Sequence, residues 1–125
     1  MPHWSFWSTE AEAVHGISRE HIECHGLWPE TIASKLNNIL RGETVYCDSV
    51  AWDGFWLNVL FSDCAIHCEF KLFDIQELLL DSDSALEKYV SERQQLVDSG
   101  DFREHRALDD ARMTLLALQK ALSGR

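Results

Sequence analysis

Thr44-Val45-Tyr46-Cys47-Asp48-Ser49-Val50-Ala51-Trp52-Asp53-Gly54-Phe55-Trp56 is the stretch on which the fold turns. Its first four residues are β-rich and short, and they predict a buried strand. From 51 to 61 the pattern switches to helical recurrence, with Trp52, Phe55, Trp56, Val59 and Leu60 apolar, and Trp52, Phe55 and Trp56 are predicted to enter the core because aromatic side chains bury large areas. Residues 67–73 then alternate apolar and polar, which predicts another strand. Strand, helix, strand in succession indicates an α/β layered fold.

The same order continues outward. Residues 3–7 alternate weakly and are aromatic, as at the end of a strand, which brings the predicted sheet to about three strands flanked by helices. Thr9 and Glu12 have the spacing of a capping box, and Gly16 is a natural helix stop. Ser18 is placed to cap a short turn over 19–24. Pro29 fits a first helical position, and Ile32, Leu36, Ile39 and Leu40 recur at helical spacing before Gly42. Residues 75–80 read as helical. Ser84 is a candidate cap for a helix to about Val97, with Ser99-Gly100 as a break. Residues 105–122 form the longest amphipathic pattern, with Leu108, Ala111, Met113, Leu115, Leu116, Leu118 and Leu122 apolar.

At 125 residues, 46% apolar and 26% charged, the chain suits a single domain, 1–125. The start carries no basic stretch followed by an apolar run, and the longest apolar-rich run is too short to span a bilayer, so a cytoplasmic protein without membrane contact is expected. The formal net charge of −10 argues against broad phosphate-backbone binding, which relies on many Lys and Arg contacts. It leaves open an acidic site that meets phosphate through divalent metal. Four cysteines without export signals argue for free thiols. Cys64-Ala65-Ile66-His67-Cys68 and Cys24-His25 cluster soft ligands, but no paired Cys-x-x-Cys spacing supports a zinc module. Cys68 falls in the alternating stretch, where it reads as a small core residue.

Three segments carry a resemblance. Ala11-Glu12-Ala13-Val14-His15-Gly16-Ile17-Ser18, then residues 46–57 with Asp53 in the first turn of a helix, then His105-Arg106-Ala107-Leu108-Asp109-Asp110-Ala111, stand in this order over most of the chain. In that order they resemble the motifs of the DEDDh-type 3′–5′ exonucleases, the RNase T-like or proofreading family with a ribonuclease H-like fold. The third segment, with His and Asp five apart, is the most specific. The resemblance implies that His105 is the general base, that Asp53 and Asp110 are ligands of Mg2+ or Mn2+, and that the substrate is the 3′ end of single-stranded DNA or RNA. Two-metal hydrolysis needs carboxylates holding ions about 4 Å apart, and a neutral imidazole can take the proton of the attacking water.

The family also carries an Asp-x-Glu on its first strand, for which this sequence has no strand-borne counterpart; Glu10-Ala11-Glu12 lies on the capped helix and Asp81-Ser82-Asp83 between helices. The resemblance therefore implies a domain incomplete at its N-terminus, weak metal binding, and a sheet edge that a second copy or a partner chain covers. A non-catalytic interaction protein on a degenerate exonuclease scaffold is the alternative. Each residue also has a plainer role. Asp53, Asp109 and Asp110 suit helix first turns, where carboxylates favour the dipole. His15 suits a helix end. Trp4, Phe6 and Trp7 are base-stacking candidates but suit a strand core better. Arg103 and Arg106 suit a phosphate contact or a surface ion pair equally.

Overall fold

A computed structural model describes residues 6–123 of the chain, so most of the strand end predicted at 3–7, and Trp4 with it, lie outside the described residues. Phe6 and Trp7 carry no regular secondary structure. The described residues form a mixed α/β, mostly helical protein with a small parallel sheet. They divide into two compact units: Ile17–Ile75 with the residues before Thr9, and Thr9–Gly16 with the chain from Gln76 onward.

The first unit contains α2 (Arg19–His25), α3 (Pro29–Leu40), β1 (Thr44–Cys47), α4 (Val50–Asp63) and β2 (Lys71–Asp74). Ser18 caps α2 as expected, its Oγ accepting the His21 N–H at 3.1 Å. Pro29 opens α3, where its missing donor costs nothing. β1 and β2 pair in parallel, Thr44 against Lys71 and Cys47 against Asp74, and α4 is the crossover that parallel pairing demands. The sheet has two strands among the described residues where three were expected.

Neither strand is fully buried, contrary to the expectation for residues 44–47; both alternate exposed and half-buried positions. Tyr46 and Phe73 lie on the exposed face, ring centroids 6.3 Å apart. Nor does the alternation at 67–70 become strand, leaving Cys68 outside the sheet. β1 begins at Thr44, so residues before Lys71 have no strand partner. They are held instead by the turn and by α3. Gly42 N–H bonds Glu69 O at 2.8 Å. The buried Asn37 donates Nδ2 to His67 O at 2.8 Å and accepts the Glu69 N–H on Oδ1 at 2.9 Å.

α4 is apolar nearly all round, a composition that ordinarily marks a fully buried helix. Of its residues only Phe61 is buried, its ring edge-on to Phe70. Trp52, Phe55 and Trp56, expected in the core, are 69%, 56% and 56% exposed. The helix closes in a double-bonded C-cap: Ala65 N–H bonds Ser62 O and Ile66 N–H bonds Phe61 O, both at 3.1 Å, with Ala65 at φ 53.

The second unit contains α1 (Thr9–His15), α5 (Gln76–Leu79), α6 (Asp83–Asp98) and α7 (Ala107–Leu122). Thr9 is already inside α1 rather than capping it. Ser82, not Ser84, stands at the cap position of α6, and the two hydroxyls meet at 2.6 Å. α6 and α7 pack together. Ala85 and Tyr89 on one, and Met113, Ala117 and Ala121 on the other, are buried and step by four residues along each helix. The alanines let the backbones approach, and Met113, fully buried, adds about 1.5–3 kcal/mol of apolar burial. Lys120 and Glu92 pair across these helices at 3.1 Å.

Candidate functional site

In the first unit, parallel pairing places the C-terminal ends of β1 and β2 side by side, with an acid at the end of β2 and another just past the end of β1. Cys47 is opposite Asp74 in register, and Asp48 follows β1 directly. Ser49 stands at the N-cap position of α4 without a side-chain cap bond. Asp74 supplies the acceptor instead, its Oδ2 taking the Val50 N–H at 3.2 Å. A carboxylate at that end satisfies an orphan donor and meets the positive end of the helix dipole.

Asp53 sits in the first turn of α4, as its sequence position predicts. Partial burial pushes its carboxyl above the ordinary aspartate value, Asp48 and Asp74 push it further, and a hydrogen bond with Cys47 opposes them. The Cys47 thiol is also pushed up, chiefly by burial and then by these carboxylates, against a backbone hydrogen bond from Ser49. Its Sγ donates to Phe73 O at 3.6 Å. Three carboxylates thus gather around the strand ends and raise the proton affinity of one of them. Oxygen donors in mutual repulsion are the chemistry that a hard divalent cation relieves, so Asp53 and its neighbours fit Mg2+ or Mn2+ by donor type. Among the described residues, no three His, Cys, Asp or Glu side chains are drawn close enough together to hold a metal ion. All four cysteines are free thiols.

In the second unit, the first turn of α7 folds back on the loop before it. Asp110 Oδ1 accepts the His105 N–H at 3.2 Å, and Asp109 Oδ2 accepts the Arg103 N–H at 2.9 Å. Asp110 Oδ1 also lies 3.7 Å from Arg93 Nη2, a half-screened contact. His105 was expected to open the long helix; it stands before it, with α7 starting at Ala107. Its φ is 63, left-handed backbone that a non-glycine residue holds at a cost of about 1–2 kcal/mol. The Asp110 carboxylate is what holds it there, tying two residues of the same sequence motif together.

His105 and Asp110 are therefore brought together, and Asp53 is grouped with Asp48 and Asp74. Sequence reasoning passed over Asp48 and Asp74. Each lies at or just past the end of a strand, and only the parallel register makes them neighbours. The chain matches no protein-family model, no curated protein and no solved structure. No described helix is long and apolar enough to cross a membrane.

Proposed function

We propose that this chain is a ribonuclease H-like domain of the DEDDh 3′–5′ exonuclease type, acting on the 3′ end of single-stranded DNA or RNA. His105 in left-handed backbone, its N–H held by Asp110, carries the proposal: strain of this kind concentrates at working sites, and it falls on the pair that the sequence motif singles out. Asp48 and Asp74, which raise the proton affinity of Asp53, place acids near that residue in the first unit. Asp53 in the first unit and Asp110 in the second are each carboxylates of the kind that would hold Mg2+ or Mn2+, and such an ion when bound would lower the pKa of water and stabilise the leaving oxygen. His105, as a neutral imidazole, would take the proton of the attacking water.

The test is Mn2+-dependent release of mononucleotides from a labelled single strand. Activity should fall at least about a hundredfold in His105→Ala and be lost in Asp53→Asn and Asp110→Asn. Mn2+ should also raise the melting temperature of the parent chain. The absence of both mononucleotide release and a thermal shift at millimolar Mn2+ would overturn the proposal.

A specific observation favours a second function, that of a non-catalytic interaction protein on the same scaffold. Trp52, Phe55 and Trp56 are exposed on α4, and each strand of the pair has one edge without a partner strand among the described residues. Unpaired strand edges beside exposed aromatics are surfaces that a second chain covers. Light scattering should then show a dimer or larger assembly; a monomer at all concentrations would count against it.

A further inference from the structure

Arg103 and Arg106 flank His105, and both side chains reach the C-terminal end of α1 within the second unit. Gly16 closes that helix, its N–H bonding Glu12 O at 2.7 Å and its φ at 68. A Cβ at Gly16 would lie 2.5 Å from Arg103 Nη2 and 3.8 Å from Arg106 Nη2. The two guanidinium nitrogens can be no farther apart than those two distances laid end to end. That is inside the roughly 8 Å over which physiological salt screens charge.

Like charges this close ordinarily recruit a carboxylate, and the chain has 21 to offer. Yet among the described residues neither arginine forms an ion pair. Two acids that follow them in the chain are turned elsewhere: Asp109 to the Arg103 backbone N–H, Asp110 to the His105 N–H and toward Arg93. Arg106 makes one long bond, Nη2 to Gly16 O at 3.4 Å, and its buried Nε has no partner. Of the two roles that the sequence left open for these residues, the ion pair is not formed.

We propose that Arg103 and Arg106, converging on Gly16, form a site for a phosphate group. A carboxylate has two oxygens and satisfies one guanidinium fork; a phosphate presents oxygens to two forks at once and carries the charge to offset both. Glycine at position 16 keeps clear the space that any side chain would fill. The site needs no metal. It rests on the exonuclease proposal only for the carrier of the phosphate, a nucleic-acid strand held beside His105.

The experiment uses the full chain in EDTA, 15N-labelled, with the arginine Nε–H signals followed by NMR. Inorganic phosphate is titrated in one arm and a short single-stranded oligothymidylate in the other. Saturable shifts of Arg103 and Arg106 are expected in both. Affinity should fall about tenfold or more in Arg103→Gln, less in Arg103→Lys, and not at all in Arg19→Gln, whose parent residue pairs with Glu23 in the first unit. Tighter binding of the oligonucleotide than of phosphate identifies a strand as carrier; equal binding identifies free phosphate or a mononucleotide, and both support the site. No saturable shift in either arm, or unchanged affinity in a folded Arg103→Gln, overturns it. A chain that binds in EDTA but releases no mononucleotide with Mn2+ keeps this site and loses the exonuclease proposal.

Discussion

Replacing Asn37 with alanine should unfasten the approach to β2. This one buried side chain bonds the backbone on both sides of Cys68, donating to His67 O at 2.8 Å and accepting from Glu69 N–H at 2.9 Å. Alanine removes both bonds, each worth about 1 kcal/mol net, and strands a carbonyl and an amide where water enters poorly, at about 1–3 kcal/mol for each group left unsatisfied. Partial hydration and relaxation offset some of this, so the expected loss is about 2–4 kcal/mol. The effect can be assigned to one unit, because the described tryptophans, Trp7, Trp28, Trp52 and Trp56, belong to the unit that contains Asn37. Urea denaturation followed by tryptophan fluorescence should show a midpoint lower by roughly 1–2 M for a slope of about 2 kcal/mol per molar. A loss under about 0.5 kcal/mol with an unchanged slope would show that these bonds do not hold residues 67–69. The placement of β2, and of Asp74 at its end, would then need another cause.

Other expectations concern single positions. Ala65→Gly relieves the left-handed residue at the end of α4 and should stabilise the first unit by about 0.5–1 kcal/mol in the same assay; destabilisation would mean that the cap is not left-handed. Asp53 is an unusual case of linkage, since its folded-state proton affinity is raised above the ordinary value of 3.8. Its ionisation therefore costs stability as pH climbs through the raised value. In EDTA, Asp53→Asn should be more stable than the parent at neutral pH, by on the order of a few tenths of a kcal/mol for so exposed a group, and equal to it below about pH 4. A variant less stable than the parent at pH 7 would refute the repulsion around the strand ends.

The local elements were legible because their signals are local. Pro29 and Ser18 start their helices where the sequence places them, and the crossover from β1 through α4 to β2 follows from the change of period between 44 and 73. Asp53 and Asp110 lie in helix first turns as their positions predict. Capping and periodicity act over three to seven residues, so one sequence suffices to read them.

Tertiary structure decided which apolar and acidic residues matter. Period and composition mark Trp52, Phe55 and Phe61 alike, yet only Phe61 is covered, because burial depends on what packs against a face and not on the face itself. The alternation at 67–70 promised strand, but a ladder needs a partner, and β1 begins too late to supply one. Asp74 became the cap of α4 and the neighbour of Asp53 only through the parallel register. His105 left the helix that its spacing predicts because a carboxylate five residues on fixed its amide in a left-handed turn. Contacts between residues distant in the chain carry no local periodicity, and there the sequence alone falls silent.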